Sequence, residues 1–315
     1  MHMEQTYEIT LKTFTEESLP DLDTAVLGAL ELFARTPLPE FAWETEGKTA
    51  VLGSENALST GKMLFTTPGT IFLDENNYHA SLHACKNTID RAVVISASGG
   101  KDAVAMAQVL HEKGISTWLL TCNENAIAQE YVDASQVCIF PKNREPYTYN
   151  TSTYLGMLLA RTSENPEAIY KYIVETVLPR IPETLGAYDA FYCVVPDEMT
   201  AMGDMIRTKF DELFGARVSG RVFSESATRH AKTIVPSDTE YFVHIGETEE
   251  LFGTSTSRMQ VPLPADAGPA MLMAIGYAIV GAIQKQHPPY FKENISNYAE
   301  RASQMFGQRI TTIVE

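Results

Sequence analysis

Continuous apolar runs the length of a strand alternate with segments the length of a helix, and this alternation constrains the fold more than any other feature. Residues 48–54 (KTAVLGS), 69–74 (GTIFLD), 91–98 (RAVVISAS), 116–122 (STWLLTC) and 135–140 (SQVCIF) read as strands. They are apolar throughout rather than at every second residue. That is the pattern of strands buried on both faces, as in a parallel sheet covered by helices. Residues 102–113 lie between two of these runs and carry Val104, Ala105, Met106, Val109 and Leu110 as a helical stripe. Residues 148–186 offer no strand and read as two helices, with Pro166 near the start of the second. The alternation then resumes with a strand at 189–197, a helix over about 199–214, strands at 240–246 and 258–264, and a long helix over 268–285. The expectation is an α/β chain of two domains, 1–183 and 184–315, joined near 180–188 where Pro, Gly and polar residues cluster.

With 315 residues the chain is long enough for two cores without disulfide or metal staples. Its formal net charge of −16 disfavours nucleic acid as a partner, and an anionic ligand would have to be held by local dipoles or a local cation. Cys85, Cys122, Cys138 and Cys193 are far apart and form no CxxC pair. They read as small hydrophobes in a reducing compartment. The longest apolar stretch, 271–283, is too short to span a bilayer, and the first ten residues hold no apolar signal core. No membrane association and a cytoplasmic location are expected.

The most informative segment is 93–110, VVISASGGKDAVAMAQVL. An apolar strand runs into the small turn Ser96-Ala97-Ser98-Gly99-Gly100, and a helix begins near Lys101. In an open α/β sheet, ligands sit beyond the carboxyl ends of strands, where free amides and the dipole of the next helix favour an anion. The serines add hydroxyl donors and the glycines permit close approach. The same residues also suit a plain tight turn between strand and helix. Neither GxxxxGK[ST] nor GxGxxG occurs, so this is not a Walker loop or a dinucleotide fingerprint.

Ser96-Ala97-Ser98-Gly99 resembles the S-x-S-G phosphate loop of the SIS (sugar isomerase) family, and most closely the isomerase part of glucosamine-6-phosphate synthases. Residues 118–141 are similar to that family's strand, T-N turn, A-D step and next strand. Arg144-Glu145-Pro146 followed by Asn150-Thr151-Ser152-Thr153 resembles its G-P-E … S-T-K passage, and 53–61 stands where it has a sugar-binding turn. The resemblance implies two flavodoxin-like SIS subdomains, each a parallel sheet with helices on both faces, and a sugar-phosphate ligand. It implies phosphate binding by Ser96, Ser98, Gly99, Lys101, Ser54 and Thr151. Lys101 departs from the pattern, because the family has a phosphate-binding Thr there. The residues hold no glutaminase-type domain, so a complete glutamine-dependent synthase is not expected. No cofactor is implied.

The helix near 199–214 has an apolar side of Met202, Ile206, Phe210 and Leu213, and a polar side of Asp204, Lys209, Asp211 and Glu212. By itself that polar side reads as a solvated charged face. The resemblance implies more: Lys209-Phe210-Asp211-Glu212 matches a K-x-x-E whose carboxylate moves the sugar's proton, with Glu212 as that base and Asp211 its rival. It also makes His230 a ring-opening group, a task suited to a side chain that titrates near neutrality. In the family this histidine reaches the sugar from the neighbouring subunit, which implies a homodimer with shared sites. His230 alternatively caps its own helix. An alignment of the tail places Ile310 where the family has a Schiff-base lysine. Arg309 is a poor imine former, and Lys292 is far back in sequence. The expected function is therefore isomerisation or isomerising deamination of a hexose or amino-sugar 6-phosphate. A fructosamine-6-phosphate deglycase and a non-catalytic phosphosugar sensor are the alternatives. His79 and His83 lie one helical turn apart with Cys85 nearby, but no third ligand is evident and no metal is expected. His111 and His244 suit ordinary helix and strand positions, and His2 and His287 are expected to be exposed.

Overall fold

The computed structural model describes residues 6–41, 47–85, 88–247 and 251–315. His2 lies outside the described residues. The chain divides into two compact units, each with its own parallel sheet. One, the first-sheet unit, comprises Thr36–Lys142 and Thr153–Ser163; the other, the second-sheet unit, comprises Met1–Arg35, Asn143–Ser152 and Glu164–Glu315.

In chain order, the helices α1 (Thr6–Thr13) and α2 (Leu22–Phe33) belong to the second-sheet unit. The first-sheet unit then runs β1 (Thr49–Leu52), α3 (Asn56–Leu64), β2 (Ile71–Leu73), α4 (Tyr78–Ala84), β3 (Arg91–Ile95), α5 (Asp102–Glu112), β4 (Ser116–Thr121) and β5 (Val137–Ile139). After the two-residue strand β6 (Glu145–Pro146) come α6 (Thr151–Thr162) and α7 (Pro166–Tyr172). The second sheet is built by β7 (Ala190–Val195), α8 (Ala201–Phe214), β8 (Ser219–Ser224), α9 (Glu225–Thr228), β9 (Glu240–Ile245) and β10 (Arg258–Val261). Two long helices, α10 (Pro269–Gln286) and α11 (Tyr290–Phe306), and the short strand β11 (Ile313–Val314) complete the chain.

The first sheet is ordered β2-β1-β3-β4-β5 and every pair in it is parallel. This is the flavodoxin-type winding, which reverses direction between its first and third strands. Ala50, Leu52, Ala92, Val94 and Leu119 pack from the strands against Met106, Ala107 and Leu110 of α5. Each fully buried Leu, Val or Met among them contributes about 1.5–3 kcal/mol before entropy is counted. That packing explains the continuously apolar runs. The second sheet is ordered β10-β9-β7-β8, again all parallel and wound the same way, with its reversal between β7 and β9.

Of these second-sheet strands, β8 was not expected from sequence, because Ser219, Gly220 and Arg221 break the apolar pattern. Packing accounts for Gly220: a Cβ there would lie 2.1 Å from the ring of Phe210 on α8. The helix α10 is buried from Ala270 to Gln284. It meets α2 so closely that a Cβ on Gly281 would sit 2.1 Å from the Asp23 amide. No helix among the described residues is long and apolar enough to cross a membrane. Cys122, Cys138 and Cys193 are buried and Cys85 is half-buried, all as free thiols. Contrary to expectation, His287 is not exposed. Its ring is half-buried, with Nδ1 bonded to the Ile283 carbonyl at 2.9 Å and Nε2 to the Tyr188 carbonyl at 2.8 Å.

Candidate active site

The reversal of the first sheet lies between β1 and β3, and a cavity of about 180 Å³ opens beyond the carboxyl ends of these strands. Gly53 and Ser54 line it after β1, and Ser96, Ala97, Ser98, Gly100 and Lys101 after β3. Tyr154 of α6 closes another side. Four of the residues expected to hold phosphate, Ser54, Ser96, Ser98 and Lys101, are thus gathered around one cavity. Gly99 shapes its turn: at φ +60°, a Cβ there would lie 2.3 Å from the Ala126 Cβ, so only glycine fits.

The carbonyls of this turn are engaged by neighbouring groups. The Ala97 carbonyl accepts from the Thr121 hydroxyl at 3.2 Å and the Cys122 amide at 3.1 Å. The Ser98 carbonyl accepts from Asn123 Nδ2 at 2.9 Å, and the Gly99 carbonyl from the Ala128 amide at 3.0 Å. The Ser96 and Ser98 hydroxyls accept from the Gly99 and Gly100 amides at 3.1 and 3.3 Å, which sets the shape of the turn. Two non-glycine residues in the left-handed region precede the helices at this point, Glu55 (φ 48°) before α3 and Lys101 (φ 46°) before α5. Such conformations cost on the order of 1–3 kcal/mol each and cluster at ligand sites. Asn123, which holds the Ser98 carbonyl, stands in the T-N turn of the sequence and carries no signal of this role by itself. Asp102 also lines the cavity, 3.5 Å from the Ser54 hydroxyl. Any anion bound there must be held against this carboxylate by amides, hydroxyls and Lys101.

In the second-sheet unit the centre of interest is Glu212 on α8. Its Oε2 accepts from Lys209 Nζ at 2.7 Å, and the side chain is 25% exposed. Lys209, read from sequence as part of a solvated face, is instead fully buried. Phe210 and Leu213 carry the apolar side of α8 into the core, and Lys209 is drawn in beside them. Its ammonium also donates to the Thr148 carbonyl at 2.6 Å and lies 5.4 Å from the Tyr277 ring centre. Burial pushes the Glu212 carboxyl above the ordinary carboxylate range, and the Lys209 charge opposes this only in part. A carboxylate raised in this way is a stronger proton acceptor than an exposed one. Asp211, the rival, is exposed on the next row of the helix.

Thr151 is fully buried. Its amide and that of Ser152 are taken by Glu145 at 2.6 and 2.7 Å, so a protein carboxylate already occupies that end of α6. His230 is exposed just beyond α9, in a stretch where Ile234 and Val235 are 75% and 80% exposed. Among the described residues no hydrogen bond or ion pair joins His230 to Glu212. Ile310 is buried against Ala299 and Ala302, and Lys292 is paired with Asp21 at 2.8 Å. Neither position therefore presents a free amine. His79 and His83 are exposed on α4, and among the described residues no group of three His, Cys, Asp or Glu is placed to hold a metal ion.

No family model matches the sequence, and no curated protein matches it. Solved structures do match in shape. The C-terminal domain of glucosamine-fructose-6-phosphate aminotransferase from Francisella tularensis superposes with a TM-score of 0.59 at 9% identity, over 89% of this chain and 97% of that one. Tagatose-6-phosphate ketose/aldose isomerase from Escherichia coli gives 0.57 at 13% identity, over 85% and 89%. Glucosamine-6-phosphate deaminase from Thermotoga maritima gives 0.55 at 13% identity, over 91% and 96%. The fold is that of the SIS-domain phosphosugar isomerases, two flavodoxin-like parallel sheets flanked by helices.

Proposed function

We propose that the protein is an enzyme that isomerises, or isomerises and deaminates, a hexose or amino-sugar 6-phosphate. The observation that carries this reading is Glu212, a carboxylate of raised pKa held at 2.7 Å by a fully buried lysine on a K-x-x-E helix. The cavity at the first sheet's reversal supplies the phosphate site, with Ser54, Ser96, Ser98 and Lys101 lining it and Gly99 shaping its turn. Structures of the same fold are named for acting on glucosamine 6-phosphate and tagatose 6-phosphate, which supports the substrate class.

In this mechanism His230 opens the ring by moving the proton of the anomeric hydroxyl to the ring oxygen. Glu212 removes the proton from C2 of the aldose, leaving an enediol, and returns it to C1 to give the ketose. With an amine at C2 the same transfer leaves an imine, to which water adds before ammonia departs. No step needs an amine on the enzyme, in keeping with the burial of Ile310 and the pairing of Lys292. His230 acts across a homodimer, for which the exposed Ile234 and Val235 beside it are the supporting feature. The setting is the cytoplasm, where such metabolites occur.

The test is an NMR screen in D₂O with fructose 6-phosphate, glucosamine 6-phosphate and a fructosamine 6-phosphate. Deuterium entering C1 or C2, with the isomer or ammonia appearing, is the expected result. Binding with neither exchange nor product would convert the reading to a sensor, and absence of binding would overturn it.

A further inference from the structure

The C-terminal tail is fastened along its length. Ser303 Oγ accepts from the Ile310 amide at 2.8 Å and donates to the Ile310 carbonyl at 3.3 Å. The Ile310 side chain packs with Ala299, Ala302 and Tyr147. The Thr312 hydroxyl donates to Glu16, and the Thr312 carbonyl accepts from the Tyr147 amide at 2.8 Å. β11 then pairs antiparallel with β6, Ile313 opposite Pro146 and Val314 opposite Glu145. The Glu315 carboxylate accepts from Arg144 Nε at 2.9 Å.

The segment gripped in this way leads straight into an unusual turn. Thr148 and Asn150 have φ of 75° and 46°, positions that non-glycine residues hold only when the surroundings impose them. Two restraints meet on the turn. The β11–β6 ribbon fixes its entrance, and Glu145, bonded to the Thr151 and Ser152 amides, fixes its exit. The product of this turn is one carbonyl, that of Thr148, which receives Lys209 Nζ at 2.6 Å. Lys209 is fully buried, so no water replaces that acceptor if it moves. The same ammonium also donates to Glu212.

We propose that the C-terminal strand is a positioning element for Glu212: β11 fixes β6, β6 and Glu145 fix the strained turn, and the Thr148 carbonyl of that turn aims the lysine that aims Glu212. The inference rests on the reading of Glu212 as the base and names Glu145, Lys209 and the tail as positioning groups for it. The groups that face this pair are Asp211 on the same helix, Tyr147 from the turn, Glu145 from β6 and Tyr277 from α10, with Tyr298 of α11 behind Tyr147. Lys209 is the cation among them and holds Glu212 toward its ionised form.

The experiment compares the full chain with a chain lacking residues 312–315. Two quantities are followed: exchange of the C1 proton of fructose 6-phosphate in D₂O across pH, and the ¹⁵Nζ signal of Lys209. In the full chain the buried ammonium is expected to be protected and visible. In the truncated chain the signal should be lost and exchange should slow by about tenfold to a hundredfold, the usual cost of small misplacement. The KM should stay within about twofold. The acid limb should move to higher pH, because Glu212 loses the lysine's charge. A folded truncated protein with unchanged rate, pH limb and Lys209 signal overturns the proposal. If truncation prevents folding, Val314→Pro, which removes one strand N–H from the intact chain, takes its place. If the full chain exchanges no proton, the assignment of Glu212 as base fails, while the Lys209 signal still decides whether the tail holds the lysine.

Discussion

At the reversal of the first sheet the turn after β3 carries Ser96-Ala97-Ser98-Gly99-Gly100; at the reversal of the second, the turn after β7, which is the counterpart of β1, carries Pro196-Asp197-Glu198-Met199-Thr200. The winding order is shared, but the chemistry is not. After β3 the turn's carbonyls are engaged by protein donors, and the turn borders a cavity. After β7 the turn carries two acids, and Asp197 is engaged by the Ser226 amide at 2.8 Å and by the Ser226 hydroxyl. Their negative charge disfavours an anion there. The second-sheet unit keeps its distinctive charges inside instead. Among the described residues, the carboxyls pushed upward by burial are Asp23, Glu31, Glu145 and Glu212, all in this unit. One topology thus gathers hydroxyls, amides and a lysine around a cavity in one unit and buries carboxyls in the other, and local sequence decides which.

The largest expected effect comes from Glu212→Gln, which keeps the shape of the side chain and removes the base. Turnover of the sugar phosphate should fall by about two orders of magnitude or more, with affinity little changed. Asp211→Asn should be mild in the same assay; the reverse pattern moves the role by one residue along α8. Next in size is the double change Ser96→Ala with Ser98→Ala. Calorimetry should show phosphosugar binding weakened by about 1–3 kcal/mol, with the fold intact, while Asp197→Asn leaves binding unchanged. Equal losses at both points would erase the contrast between the sheets. A smaller signal is expected from mixing Glu212→Gln chains with His230→Ala chains. A shared site predicts recovery of up to about a quarter of native activity by random pairing. No recovery after proven subunit exchange places both groups on one chain or removes His230 from the mechanism.

The smallest effect concerns stability and pH. Burial raises the Glu31 carboxyl from 4.5 to about 7. The folded state therefore holds this proton more tightly than the unfolded chain does. The resulting stabilisation is complete below about pH 4.5 and is lost as pH rises through about 7. Chemical unfolding of Glu31→Gln should lose less stability between pH 5 and pH 8 than the native chain, by about 1–3 kcal/mol. An identical pH slope in both proteins contradicts the buried acid.

Much of this was legible in the sequence because strands buried on both faces have no alternative pattern. The run at 91–98 became β3 over Arg91–Ile95, and 189–197 became β7 over Ala190–Val195. The turn Ser96–Gly100 between β3 and α5 was legible because its residues are contiguous. What escaped depends on partners outside the element that carries the residue. Lys209 looked like one more charge on a helix face, and its burial is set by a carbonyl 61 residues away. Glu145 carried no local signal, since its partners are amides of a helix start it does not belong to. The pairing of β6 with β11 joins two-residue strands, one containing proline, too short for any periodicity to show. Thr151 matched the family's motif by position, yet the fold spends its amide on Glu145.

The central claim is that phosphate is held at the reversal of the first sheet and not of the second. Amide-resolved NMR during titration with fructose 6-phosphate tests it directly. The account predicts saturable shifts at Ser96, Ser98, Gly99, Gly100 and Lys101, with Asp197, Glu198, Met199 and Thr200 unmoved. Shifts that begin at Asp197–Met199, or a saturated complex in which the Ser96–Lys101 amides stay where they were, would contradict it.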